Sequence, residues 1–478
     1  MLPSNLKFQN KVESCQSSAY TSNIAPQNGT GPYAQGQTII INIPTRQNLC
    51  LIGSESVLKF AVAVTPAGNA QFVRLDRAGA SGFIQRVRLF SGSNLLEDVD
   101  NYNMLAADLI SLQKSKGSVK GKYNISNGTR IEDMVALQLP IAGGAGVVTV
   151  AGAGNGTIGF SGQSYFAPGG EKLVTTTELA TVTAAAGSVA RTYAITLISI
   201  LGSLGAQYVP LFAMTSSPLR LEIQLVSNAN MACCSDQALA SFSITNVEYV
   251  ASFLELSDSA MDIINNSLGG QPLQYVIPSF RNYVYTYALP VAATQVNVPI
   301  AAKFSSLKSL FGTMRDTANT AATFFPLSTC HYGLSSYNLR IGSKIIPAKA
   351  PSTITEFFIE ACKAIGSVSD INHCPTMNMY SYSKNGINAA NVETAVTFST
   401  TAMSNNFMIG VDMEVYANAQ KDAIYSGYNS TTDDIFCQMQ FGGLANWGNA
   451  AIPSLRFDFF ALYDSLLICE NSTALIKF

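Results

Sequence analysis

Val87-Arg88-Leu89-Phe90-Ser91-Gly92-Ser93-Asn94-Leu95-Leu96 has a second version in this chain, Tyr337-Asn338-Leu339-Arg340-Ile341-Gly342-Ser343-Lys344-Ile345-Ile346. A shift of 250 places Leu89, Gly92 and Ser93 on Leu339, Gly342 and Ser343, and Leu95-Leu96 on Ile345-Ile346. Each version alternates apolar and polar residues, breaks at Gly-Ser, and resumes with apolar residues. That pattern predicts a strand, a tight turn and a second strand. A helix is predicted after each. The first covers residues 101–115, with Leu105, Leu109 and Leu112 on one face. Asp98 and Asp100 precede it, Lys114 and Lys116 end it, and Gly117 follows, the charge order a helix dipole favours. The second covers residues 354–365, opened by a Thr353/Glu356 capping box and closed by Gly366. The strand–turn–strand–helix unit is therefore duplicated, and so is the domain that carries it.

Working outward, each half closes with an apolar, tyrosine-bearing run: Phe242 to Leu256, and Leu455 to Cys469. Leu219 to Leu225, Ile409 to Val415 and Leu455 to Phe459 alternate strictly, as strands with one face in a core do. Val57 to Val64 reads as more fully buried. Short strands punctuated by Gly, Pro, Asn and Ser indicate an all-β sandwich or barrel. Asn265, Asn266, Gly269, Gly270 and Pro272 mark the boundary. The expected division is an arm at 1–31, a first domain at 32–262, a linker at 263–276 and a second domain at 277–478. Residues 141–188 and 417–451 read as loops grown from this scaffold.

The bulk numbers fit this plan. At ~100–200 residues per domain, 478 residues hold two to four domains. Hydrophobic residues reach 47%, which excludes a disordered chain. Charged residues are only 12%, as expected where neighbours cover the flanks or in a low-charge extracellular β-protein. A net charge of −2, with no basic run, speaks against wrapping nucleic acid. Lys114, Lys116, Lys120 and Lys122, the densest cluster, read as a solvated face. Nine scattered cysteines without framework spacing read as free thiols of a reducing compartment. The first residues show no secretory signal, and the Asn-x-Ser/Thr triplets read as chance. The uncharged stretch from Thr192 to Leu219 reads as a strand, a glycine turn and a short helical or irregular piece rather than a membrane span.

Catalysis has little material. The two histidines form mirrored pairs, Cys330-His331 and His373-Cys374, which invite a zinc reading. Adjacent strand residues point to opposite faces, so packing is the expected role. Asp433-Asp434 and Glu97-Asp98 read as solvent-facing acids, and Asp412 with Glu414 as the polar face of a strand. No phosphate loop, dinucleotide fingerprint, zinc-protease helix or nucleophile elbow is present. No catalytic, cofactor-binding or metal-ligating residue is expected, and no cofactor.

The run Phe83 to Gly92 followed by Leu95 to Asn103 resembles double jelly-roll major capsid proteins of the polinton-like virus, virophage and adintovirus type, in the adenovirus-hexon lineage. Val209-Pro210-Leu211, Leu339 to Ser343 with Pro347, and Tyr463 to Leu467 extend the likeness through most of the chain. The resemblance implies two tandem eight-stranded antiparallel jelly rolls with a few short helices. It implies homotrimers whose six rolls make a pseudo-hexameric capsomer of an icosahedral shell. Penton and minor capsid proteins, and in many members an internal membrane, are the implied partners; sequence-specific nucleic-acid binding is not expected. Two other readings stay open. A carbohydrate-binding or adhesive jelly roll would use Tyr380, Tyr382 and Trp447 as a sugar platform. An enzyme on a sandwich scaffold would need a catalytic constellation that the motifs do not supply.

Overall fold

The computed structural model describes residues 17–68, 73–129, 147–149, 157–159, 190–204, 208–235, 238–290, 292–317, 325–365, 375–377, 379–384, 405–414, 426–442, 454–470 and 472–478. The principal strands fall into two sets of eight. The first set is β1 (Ser17–Ile24), β2 (Thr38–Asn42), β3 (Val57–Pro66), β4 (Ile84–Ser91), β5 (Asn94–Asp100), β6 (Arg191–Ile195), β7 (Leu219–Leu225) and β8 (Leu239–Leu256). The second set is β9 (Leu273–Ala288), β10 (Thr294–Ile300), β11 (Leu307–Asp316), β12 (Leu334–Ile341), β13 (Lys344–Ile346), β14 (Ile409–Asp412), β15 (Ile435–Phe441) and β16 (Ser454–Glu470).

One wiring serves both sets. Strands one, eight, three and six form one antiparallel sheet, and strands two, seven, four and five the other. In the second set the orders are β9-β16-β11-β14 and β10-β15-β12-β13. This sheet order is that of a jelly roll, two Greek keys wrapped into a sandwich. The chain is two jelly rolls in tandem. A final strand, β17 (Thr473–Lys477), pairs with β16.

The duplicated unit lies where the sequence places it. β4 and β5 are joined through Gly92, and β12 and β13 through Gly342, with φ of 58° and 55°. A β-carbon in that left-handed region meets the following carbonyl oxygen. At Gly342 it would also lie 3.2 Å from an Asp433 carboxylate oxygen. Gly92→Ala and Gly342→Ala are each expected to cost roughly 1–2 kcal/mol, measurable as a shift in denaturation midpoint.

Helices α1 (Tyr102–Gln113) and α3 (Ile354–Ile365) fill the same slot in the two rolls, between strands five and six of each set. The capping box at α3 is formed: Glu356 N donates to Thr353 Oγ1 at 3.2 Å and Thr353 N donates to Glu356 Oε2 at 3.1 Å. α1 departs from expectation. Asp98 lies in β5, ion-paired with Arg86 at 2.7 Å, and Gly117 falls in a further short helical turn instead of closing α1. The carbonyls at the end of α1 take donors from the second roll: Thr376 N to Ser111 O at 3.0 Å and Thr376 Oγ1 to Lys114 O at 2.6 Å.

Residues 17–24, within the expected arm, form β1 on β8. The expected linker is mostly regular structure: α2 (Asp258–Leu268), stopped by Gly269 at φ 55°, leads directly into β9. The stretch from Thr192 holds the end of β6, a turn and a short 3-10 helix, Leu211–Met214. Among the described residues no helix is long and apolar enough to cross a membrane.

One continuous core runs through both rolls. β8 and β16 are its spines, each central in its sheet. Phe304 stacks on Tyr463 with centroids 3.9 Å apart, and Phe83 tilts on Phe242 at 5.0 Å.

Candidate assembly surfaces

The residues that invited a chemical reading lie apart and are already engaged. His331 sets its Nε2 3.2 Å from Ser383 O and its Nδ1 accepts from Gly333 N at 3.2 Å, with the ring against Phe407. Burial lowers its pKa, so it is a neutral packing residue near neutral pH. Cys330 is fully buried beside Asn405, and burial pushes its thiol up to about 12. His373, Cys374, Cys15 and Trp447, and the side chains of Tyr380, Lys116 and Lys120, lie outside the described residues. Lys114 sits over the Tyr123 ring at 5.6 Å.

Tyr382 is no sugar platform: it is buried, its hydroxyl donating to Met408 O at 2.7 Å. Glu414 is held by Lys308 at 3.0 Å and Ser426 at 3.2 Å, and its backbone N donates to Asp412 Oδ1 at 3.0 Å. Asp433 accepts from Tyr428 at 2.7 Å and Asp434 pairs with Lys303 at 2.8 Å. The described cysteines are buried, and burial raises Cys50 to about 11 and Cys469 to about 12. Protonated thiols of that kind are poor nucleophiles. Among the described residues no group of three or more His, Cys, Asp and Glu could hold a metal ion.

Glu97, expected in solvent, is 2% exposed inside the first roll. It accepts from Ser199 Oγ and, at 3.0 Å, from Ile200 N. A bulge in the β4–β5 pairing turns it inward opposite Leu89, while Asp98 faces Arg88. Burial raises its pKa to about 7, against the pull of those two donors.

The polar groups that matter most sit where the rolls meet. Asp458 lies on the polar side of an alternating strand, yet it is fully buried. It lies 3.1 Å from Arg315 and 2.9 Å from Arg456, and accepts from Asn101 at 3.3 Å. Asn101, in the left-handed region at φ 48°, also donates to Asn282 at 2.7 Å. Arg77 pairs with Asp108 at 2.8 Å and donates to Leu327 O at 3.1 Å, while Asp76 accepts from Leu327 N at 2.7 Å. Asp458 of β16 is therefore reached by the first roll through Asn101. Burial raises Asp108 to about 6, opposed by Arg77. The local alternation around Asp458 reads as an ordinary exposed strand, so no sequence signal marks this site.

Among the described residues, two flanks carry exposed side chains. One is the side of β13 and α3. Ile345 is 50% and Ile359 38% exposed there. Beside them a 270 Å³ groove is lined by Ile354, Thr355, Phe358, Met377, Met379 and Tyr382. The other is β1, at the edge of its sheet and exposed along most of its length.

The two-roll architecture defines the class as a double jelly roll, and solved structures share it end to end. PBCV-1 VP54, fitted into a reconstruction of the virophage Sputnik, aligns over 98% of each chain with a TM-score of 0.60 at 10% identity. The Sputnik virophage structure aligns over 100% of this chain and 92% of its own, with a TM-score of 0.55 at 11% identity. The Faustovirus major capsid protein aligns over 98% and 93%, with a TM-score of 0.55 at 9% identity. At such identities the shared property is the fold. No protein-family model and no curated protein matches the chain.

Proposed function

We propose that this chain is the structural major capsid protein of a double-stranded DNA virus. Three copies form a pseudo-hexameric capsomer that tiles an icosahedral shell. The observation that carries this reading is the end-to-end correspondence with the Faustovirus major capsid protein: two rolls in tandem, covering 98% of this chain. A single roll would serve a lectin or an enzyme equally well; two quasi-equal rolls fused in one chain let a trimer present sixfold symmetry. Uncovered apolar flanks and a low charge fit a surface meant for neighbours. The partners are further copies, penton and minor capsid proteins, and an internal membrane where the virus has one. The place of action is the virion, after folding in a reducing compartment of the host, and α2 divides the two rolls.

Light scattering with negative-stain microscopy tests this. The expected particle has three times the 50.8 kDa of one chain and a hexagonal outline. A stable monomer without such outlines would overturn the capsomer and favour the adhesive or carbohydrate-binding reading.

A further inference from the structure

We propose that the Lys308 amine condenses with the Asp464 carboxyl after folding, with Glu414 as the proton carrier, and that the resulting isopeptide bond joins β11 to β16. The cross-link is a property of the second roll alone and is independent of the capsomer.

Three strands bring these side chains together. Lys308 is the extra residue of a bulge in β11, where Leu307 pairs with Tyr463 and Ser309 with Leu462. A bulge re-aims the side chain it carries. The Lys308 Nζ lies 3.6 Å from Asp464 Oδ1 and 3.0 Å from Glu414 Oε1. Backbone bonds fix the positions. Asp464 N donates to Ser306 O at 3.0 Å, and Met413 N, next to Glu414, donates to Lys308 O at 2.8 Å. Ser306 Oγ donates to Asp464 Oδ2 at 2.9 Å, which leaves Oδ1 on the amine side. The Lys308 side chain keeps 13% of its exposure and that of Asp464 4%. Lys59, Lys303, Lys349 and Lys363, also ion-paired, keep 40% or more.

An exposed pair stays ionic because water solvates both charges. Burial disfavours the ammonium and the carboxylate alike, which brings the neutral amine and acid within reach. It raises the pKa of Asp464 against the pull of Lys308 and Ser306, favouring the acid that the condensation consumes. It lowers that of Lys308, but the two carboxylates more than restore it, so the resting amine is an ammonium and a base must take its proton. Glu414 Oε1 lies within hydrogen-bond distance to do so. The freed amine attacks Asp464 Cγ and forms the C–N bond, while the Ser306 hydroxyl supports the negative charge on Oδ2. Glu414 passes the ammonium proton, and then a second proton from the nitrogen, to Oδ1. The Cγ–Oδ1 bond breaks and that oxygen leaves as water. Lysine has then lost two protons, aspartate one oxygen, and Glu414 is unchanged. Holding amine and carboxyl in place makes the step intramolecular. The bond closes a long loop of the second roll and, unlike a disulfide, resists reduction.

Intact-mass spectrometry of the purified full-length chain, denatured and reduced, tests the bond. The unmodified chain is expected to weigh one water less than its sequence. Peptide mapping is expected to recover the segments around Lys308 and Asp464 as one branched peptide. Lys308→Arg keeps the cation but supplies no condensing amine, and Glu414→Gln keeps the size but removes the proton carrier. Both are expected at the full sequence mass. If a variant fails to fold, the branched peptide of the unmodified chain decides alone. A folded unmodified chain that holds its full mass after prolonged incubation would overturn the bond. So would a lost water that maps elsewhere or persists in Lys308→Arg. A Glu414→Gln chain that loses water as fast as the unmodified one would overturn the part given to Glu414.

Discussion

Arg77→Leu is expected to lower the stability of the chain by about 3–5 kcal/mol at pH 8, the usual loss when one partner of a buried ion pair is removed. Arg77 and Asp108 retain 5% and 1% of their side-chain exposure, so water cannot replace the lost partner. The guanidinium also donates to Leu327 O and to Ser111 Oγ at 3.0 Å, which ties the first roll to the second. The loss depends on pH in a definite direction. Asp108 already titrates at about 6 because burial outweighs Arg77. Without Arg77 its pKa rises further, so at pH 5 it is protonated and the orphaned charge disappears. Denaturant unfolding should therefore show a smaller loss at pH 5 than at pH 8. Replacing both partners, as Arg77→Leu/Asp108→Leu, should recover much of the stability at pH 8. A loss equal at both pH values, or a double variant no better than the single, would count against the pair as the anchor of the junction.

The second large effect belongs to Glu97. Its folded pKa, raised by burial from 4.5 to about 7, means that the folded chain holds this proton more tightly than the unfolded chain. Below pH 4.5 both states are protonated and Glu97 contributes no pH dependence. As pH rises to 7 the unfolded state ionises first, and stability falls by on the order of 3 kcal/mol, then levels off. Glu97→Gln removes the titration. The variant should match the unmodified chain near pH 4 and exceed it near pH 8, with the divergence read from denaturation midpoints across that range. The exposed Glu356, held at about 2 by Ser352 and Thr353 N–H donors, is ionised throughout that range and does not mask the effect. A stability difference that stays flat between pH 5 and pH 8 would refute the assignment.

The period of apolar residues reports the sheet or helix that carries them, and that much was readable before any coordinates. The repeat from Val87 and from Tyr337, the Gly-Ser turns, the helix after each and the Thr353/Glu356 cap are local chemistry. Each depends on residues a few positions apart, and each stands in the fold. The long closing strands β8 and β16 follow from their apolar runs in the same way.

The covering of a polar face is another matter. Leu455-Arg456-Phe457-Asp458-Phe459 alternates as any exposed strand does, and Leu219 to Leu225 alternates identically. Yet Asp458 is buried and Glu222 is partly exposed. The difference comes from Asn101, some 357 positions away, and from the first roll behind it. For the same reason α1 is buried on every side while α3, its counterpart, keeps an open groove. Periodicity assigned each residue a face; only the docking of one roll on the other decided which faces meet protein and which meet water, because burial is a property of the partner and not of the strand.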